Sequence, residues 1–337
     1  MTKKSFQFSS KKVHYYFDAS LSDLKKLTDR KNIIVITDEH VAEAHSAKLR
    51  GFRQIIIPAG EQHKIQSTVD HILSQLIEMG ADRETVLIGM GGGVVTDLTG
   101  YVASIYMRGI AFGFIPTSIL AMVDASIGGK NGIDIGPYKN MAGIIRQPDF
   151  LLYDVNLLRS LPDEEWINGF AEIIKHACIK DAVMFRELQQ ASIQHFMRRK
   201  TDLSSLIRKN AIIKSRVVQR DEFEQGERRL LNFGHTFGHA IETSAGLPHG
   251  HAISLGMVIA AGFSQEILKF RHKAKLTQVL EQYGLPVEMD FDREEAFRIL
   301  QMDKKKTGKD IRFILLEKIG KGVVYPFPID TIHRLYN

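Results

Sequence analysis

The sequence predicts an α/β plus α protein: an N-terminal half built on a parallel sheet, followed by a mostly α-helical C-terminal half. Three observations carry this. Short β-branched runs alternate with helical periods from Lys31 to Gly89. A glycine cluster follows the third of those runs, and strand signals nearly vanish after Pro162. Alternation of this kind implies parallel strands with helices on the sheet faces, and ligands then bind beyond the strand ends.

Taken in order, KNIIVITD (31–38) reads as a strand, Glu39 to Lys48 as a helix, RQIIIP (53–58) as a strand, Ile65 to Met79 as a helix and ETVLIG (84–89) as a strand. Gly89-Met90-Gly91-Gly92-Gly93-Val94-Val95-Thr96-Asp97 comes next and opens a helix. Glycines there let a phosphate approach the backbone, and the helix start offers free amide donors, so this is a candidate dinucleotide-binding turn. From Tyr106 to Asn140 a loop-rich segment gathers Arg108, Asp124, Lys130, Lys139 and Asn140 beside Gly128, Gly129 and Gly132. Such a set suits an anionic or polyhydroxylated ligand, although each lysine alone also reads as solvated surface. Helical periods then cover Glu164–Lys180, Met184–Gln194, Leu203–Arg220, Leu231–Ser244 and Ala252–Phe270, and IRFILLEK (311–318) with Val323–Tyr325 closes the chain as candidate strands. The expected division is 1–162 and 163–337.

Length and composition narrow the function classes. The 337 residues allow two domains, and 44% hydrophobic with 25% charged residues is ordinary for a globular chain. The most apolar stretch, Gly100 to Gly129, is broken by Arg108, Pro116 and Asp124, so no membrane span is expected there. The N-terminus lacks a secretory pattern, and a cytoplasmic location is expected. A single cysteine, Cys178, excludes an internal disulfide and a thiolate metal cluster. The net charge of +6 is scattered without a nucleic-acid motif, which favours an anionic small substrate over nucleic acid or membrane as partner.

The densest chemistry lies between Asn232 and His251, where four histidines fall in twenty residues. His235 and His239 share a helix face, and His249 follows a break at Gly246 and Pro248. Such a pair can be an ordinary helix face or part of a metal site with three protein ligands and one open position. Upstream, GFAEIIKHA sets Glu172, Lys175 and His176 on an apolar helical background, where a carboxylate needs a partner. Glu172 is the candidate third ligand.

Together these motifs resemble 3-dehydroquinate synthase over nearly the whole chain. The blocks are AGEQHK (59–64), GGGVVTD (91–97), YMRG (106–109), PTSILAMVDASIGGKNG (116–132), KNMAG (139–143), LPDEEWINGFAEIIKHA (161–177), LLNFGHTFGHAIE (230–242) and PHG (248–250). The resemblance implies a Rossmann-like domain for NAD and a helical domain for a divalent metal, zinc or cobalt. It makes Glu172, His235 and His249 the metal ligands. It gives NAD contacts to Glu61, Gln62, His63, Lys64, Gly93, Val94, Val95, Thr96, Asp97, Thr117, Ser118, Lys130 and Lys139. The other pocket residues it implies are Arg108, Asp124, Asn140, Lys175, Lys214, Arg228, Asn232, His239 and one of Lys304 and Lys305.

The implied reaction converts 3-deoxy-D-arabino-heptulosonate 7-phosphate to 3-dehydroquinate and phosphate, an early step of the shikimate route to aromatic amino acids. It runs by transient oxidation with NAD, phosphate elimination, re-reduction and an intramolecular aldol closure. The implied assembly is a homodimer that supplies Arg108 from a second copy of the chain. Among the departures, His251 occupies a position where glutamate is usual, and Met141-Ala142 with Ile145-Arg146 replaces a more usual apolar and aromatic pattern. Rival readings are a cyclase of carboxylate-free sugar phosphates, a metal-dependent alcohol dehydrogenase and an inactive binding protein. Arg228 and the LNFGHTFGHA run favour a carboxylate substrate.

Overall fold

The structure, a computed structural model, describes residues 1–27, 32–136, 138–304, 310–328 and 332. The chain begins with strands β1 (Thr2–Gln7) and β2 (Lys12–Phe17), the short helix α1 (Leu24–Leu27), β3 (Ile33–Asp38), α2 (Glu39–Ala44), α3 (Ser46–Leu49) and β4 (Arg53–Ile57). Then come α4 (Gln66–Glu78), β5 (Val86–Gly91), α5 (Gly93–Ile105), β6 (Ala111–Pro116), β7 (Lys130–Ile135), β8 (Tyr138–Ile145) and β9 (Phe150–Leu152). Helices α6 (Asp163–Lys180), α7 (Ala182–Gln189), α8 (Ile193–Arg198) and α9 (Lys200–Arg220) follow. The remainder is α10 (His235–Ala245), α11 (His249–Leu268), α12 (Lys273–Gln282), α13 (Arg293–Lys304), β10 (Asp310–Lys318) and β11 (Lys321–Pro328).

Two compact units result, one of Met1–Pro162 with Lys200–Phe223 and one of Asp163–Arg199 with Glu224–Asn337. A single cut after Pro162 therefore differs from the observed partition in the long helix α9. The reason is side-chain chemistry within the first unit: Ser215 on α9 donates to the Tyr15 hydroxyl of β2 at 3.0 Å, and Arg208 and Ser204 bind Asp18.

The first unit holds a seven-stranded sheet in the order β1-β2-β9-β6-β5-β3-β4, parallel except for the β1–β2 hairpin. Strand β5 is buried along its whole length, as a central parallel strand must be, and it reads accordingly as an unbroken apolar run. The order reverses between β3 and β5, which makes the carboxyl end of β5 a switch point where such sheets bind ligands.

Several elements differ from the sequence expectation. The helix expected over 39–48 is interrupted at His45, whose ψ of 22° departs from helical geometry. The segment read as loops from Tyr106 to Asn140 is mostly ordered: β6, a π-turn at Ala121–Ala125, and the β7–β8 hairpin. Its glycines and lysines mask strand propensity, and cross-strand pairing from Lys130↔Ile145 to Ile135↔Tyr138 overrides it.

The second unit packs α10, α11 and α13 against the antiparallel β10–β11 hairpin through Phe237, Phe263, Leu300, Phe313 and Phe327. Helix α11 is long and apolar enough to cross a membrane by length and composition, and 56% of its apolar stretch is buried inside the protein. Helix α10 starts at His235 rather than Leu231, because Gly234 turns through φ 82° and 227–232 form a 3₁₀ stretch.

Candidate metal centre and nucleotide turn

His235 and His249 are the first residues of α10 and α11, and Glu172 lies in the middle of α6, fully buried. Two glycines let these helices meet so closely. A Cβ on Gly256 would lie 1.9 Å from the Gly234 carbonyl oxygen, and one on Gly250 would lie 2.3 Å from the Asn168 carbonyl oxygen. Backbone thus meets backbone across α10, α11 and α6, and the Asn168 side chain accepts the Gly250 N–H at the start of α11.

The donors converge. The Nε2 atoms of His235 and His249 each stand 3.5 Å from Glu172 Oε1. Bonds of about 2.0–2.1 Å at a tetrahedral ion would set neighbouring donors about 3.3–3.4 Å apart, so the three side chains fit a zinc-like cation. Each imidazole is also oriented from its other nitrogen. His235 Nδ1 pairs with the Phe233 carbonyl at 3.2 Å and His249 Nδ1 with Glu242 Oε2 at 3.3 Å, which leaves both Nε2 atoms for the ion.

Electrostatics distinguish the two imidazoles. Burial, aided by the Lys175 charge, holds His235 well below the usual imidazole range and therefore neutral. Burial also works against a charged His249, but hydrogen bonds to Glu172 and Glu242 and their charges reverse it and push it up to about 9. Lys175 pairs with Glu172 from one turn further along α6. A second grouping of His239, Glu242 and His249 is also compact, but Glu242 already occupies His249 Nδ1 and His239 is exposed. His251 belongs to none of the candidate metal groupings among the described residues.

In the first unit, most of the residues expected at NAD follow the ends of parallel strands and so lie along one edge of the sheet: Glu61 to Lys64 after β4, Gly93 to Asp97 after β5, Thr117 and Ser118 after β6; Lys130 and Lys139 stand instead on the separate β7–β8 hairpin. Helix α5 starts at Gly93 with no side-chain cap, leaving its first amides to a ligand. Lys64 ties this edge together, bonding Asp97 Oδ2 and Asn140 Oδ1, each at 2.7 Å. Burial pushes Asp97 up to about 6 against the pull of Lys64, so the pair is ionised at neutral pH.

Of the other expected residues, Lys214 is buried and bonds both the carboxylate and the carbonyl of Asp124, at 2.8 Å each, inside the π-turn. Arg228 is buried, and Asn232 donates to Glu224 at 2.6 Å. Arg108, Lys130, Lys139 and Asn140 are exposed. Lys305 and the side chain of Lys304 lie outside the described residues. Cys178 is buried, with its thiol pushed up by desolvation, which suits a core residue. Sequence reading singled out neither Glu242, on the His235/His239 face at i+7, nor Asn168, one turn before Glu172.

A parallel-sheet unit with an uncapped glycine turn, joined in one chain to a helical unit with a Glu-His-His centre, defines a metal- and nucleotide-binding class of protein. Within that class, the 3-dehydroquinate synthase N-terminal family model matches residues 54–168 and the 3-dehydroquinate synthase C-terminal model residues 169–306. The chain belongs to the 3-dehydroquinate synthase family. The 3-dehydroquinate synthase of Thermodesulfovibrio yellowstonii is 41% identical over 314 residues, 88% of this chain and 87% of that one. That of Listeria monocytogenes serotype 4a is 38% identical over 342 residues, covering 96% and 93%. Among solved structures, 2-epi-5-epi-valiolone synthase from Streptomyces hygroscopicus with NAD+ and Zn2+ bound superposes with a TM-score of 0.86 at 25% identity, covering 99% of this chain and 96% of that one.

Proposed function

We infer that this chain converts 3-deoxy-D-arabino-heptulosonate 7-phosphate to 3-dehydroquinate and phosphate, with NAD recycled in each turnover. The observation that carries this reading is the convergence of Glu172, His235 and His249, in a chain 38–41% identical to 3-dehydroquinate synthases over most of its length. These three side chains would hold the divalent ion, zinc or cobalt. Glu61, Gln62, His63, Lys64, Gly93, Val94, Val95, Thr96, Asp97, Thr117, Ser118, Lys130 and Lys139 would hold NAD. When bound, the ion supplies polarisation of the substrate alcohol and NAD supplies a reversible hydride acceptor.

The chain's own residues then bind and orient. The buried Arg228 would pair with the substrate carboxylate in a charge-assisted contact, which separates this substrate from carboxylate-free sugar phosphates. Asn140, His239, Arg108 and a lysine at 304 or 305 would hold the phosphate, with Lys175, Lys214, Asp124 and Asn232 ordering hydroxyls.

The reading extends to a cytoplasmic homodimer with a small anionic sugar phosphate as its ligand. What supports pairing is a set of exposed large apolar side chains on the first unit, Met107 before β6 and Ile135, Tyr138, Met141, Ile144 and Ile145 on the β7–β8 hairpin. A second copy of the chain would cover such side chains.

The test is phosphate release from the heptulosonate with catalytic NAD, with metal added or chelated, while NADH absorbance is followed. Phosphate and dehydroquinate without net NADH, stopping on chelation, is the expected result. Accumulating NADH would instead indicate a dehydrogenase, and absence of phosphate would point to another sugar phosphate.

A further inference from the structure

Three consecutive residues between α5 and β6 turn through positive φ: Met107 at 48°, Arg108 at 66° and Gly109 at 115°. For Met107 and Arg108 this costs roughly 1–2 kcal/mol each, so surrounding structure must over-determine the turn. Part of the bracing is local. The Gly109 N–H donates to Tyr106 O at 2.8 Å, the Ile110 N–H donates to Ala103 O at 2.9 Å, and the Tyr106 hydroxyl donates to Ala81 O at 2.9 Å.

The rest comes from a residue far along the chain. Arg146 Nη1 donates to Ala103 O at 2.7 Å and Nη2 to Ile110 O at 2.8 Å, so one guanidinium grips the backbone on both sides of the turn. Its plane also lies over Phe112, 5.2 Å from the ring centroid. Arg146 is itself anchored, its N–H donating to Gly129 O at 2.8 Å and its carbonyl accepting from Asn131 Nδ2 at 3.0 Å. A planar fork brings two N–H donors from separate nitrogens to the two carbonyls, whereas a lysine ammonium offers its donors from a single point.

We propose that Arg146 is a positioning residue for Arg108: it locks the left-handed turn and so fixes where the exposed Arg108 guanidinium is presented. This rests on the reading of Arg108 as a phosphate contact. It predicts an effect on the phosphate end of the substrate, not on metal or NAD.

The test is steady-state kinetics on the metal- and NAD-loaded enzyme with R146A, R146K, R108A and R108A/R146A, alongside inhibition by inorganic phosphate. In R146A, KM for the heptulosonate and Ki for phosphate should rise about tenfold, with kcat, metal content and NAD affinity nearly unchanged. R146K should fall between, and the double variant should be no worse than R108A. Losses that multiply in the double variant, or an unchanged phosphate Ki in R146A, would overturn the proposal while leaving Arg108 in its role. A silent R108A would sink the reading of Arg108 and this proposal with it. Should R146A not fold, R146K carries the same comparison, with unchanged KM and phosphate Ki as the refuting result.

Discussion

Replacing Glu172 by glutamine tests the metal centre and the buried charge beside it in one experiment. Glu172 is fully buried, pairs with the buried Lys175, and sits 3.5 Å from both imidazole Nε2 atoms. Glutamine keeps the volume and removes the charge. Two separable losses follow. Without the anionic donor, zinc or cobalt should fall from one per chain to below about 0.1, and activity by at least about 1000-fold, the equivalent of roughly 4 kcal/mol of lost transition-state stabilisation. In the chelated protein, Lys175 loses the carboxylate of its Glu172 partner. Breaking a buried pair this way costs about 3–5 kcal/mol. For a unit of this size that is roughly 10 °C in Tm.

The assay is metal analysis and kinetics on E172Q, then thermal melts of chelated wild type, E172Q, K175M and E172Q/K175M. K175M removes the ammonium that Glu172 pairs with, so the double variant should recover most of the lost stability while binding no metal. The reasoning would be refuted by stoichiometric metal in E172Q, or by stability losses that simply add in the double variant.

Further expectations concern the surrounding residues. Asn168→Ala removes the acceptor that ties the start of α11 to α6, and should weaken zinc binding about 10- to 100-fold in chelator competition while the fold persists. His251→Ala should keep a full metal complement, because His251 lies outside the converging donors; loss of metal there would move the role given to His249 onto His251. Gly256→Ala places a methyl 1.9 Å from the Gly234 carbonyl oxygen and should lower stability by several kcal/mol, read as a Tm drop or loss of soluble protein. Lys64→Ala removes the link among Asp97, Asn140 and Glu61 and should raise the NAD Kd at least tenfold by fluorescence titration, with zinc content unchanged.

The parts of the fold legible in the sequence are those with strong periodicity. The three strands and two helical periods between Lys31 and Gly89, and the long helices α6, α9 and α11, stand out because one pattern spans each of them. The hairpin β7–β8 does not, since glycines, lysines and an asparagine at φ 55° hide strands that form by pairing with each other. Nor could periodicity assign α9 to the first unit, because that depends on where Tyr15 and Asp18 stand. In the candidate metal centre, the three residues expected as ligands came from spacing and resemblance, and their side chains lie together. The orienting contacts were less so: Phe233 acts through a carbonyl that any residue carries, and Glu242 acts across a helix break.

The approach of Gly256 to Gly234 and of Gly250 to Asn168 makes the metal centre's dimensions a property of main chain rather than of side-chain filling. A helix spacing set by bulky residues drifts as those residues are exchanged. One set by atoms common to every amino acid does not, so the surrounding apolar core can be rewritten extensively by mutation or by design with the donor spacing retained. The same construction acts as a ruler of fixed length, and the two small residues that form it are the ones a redesign of this unit has to leave untouched.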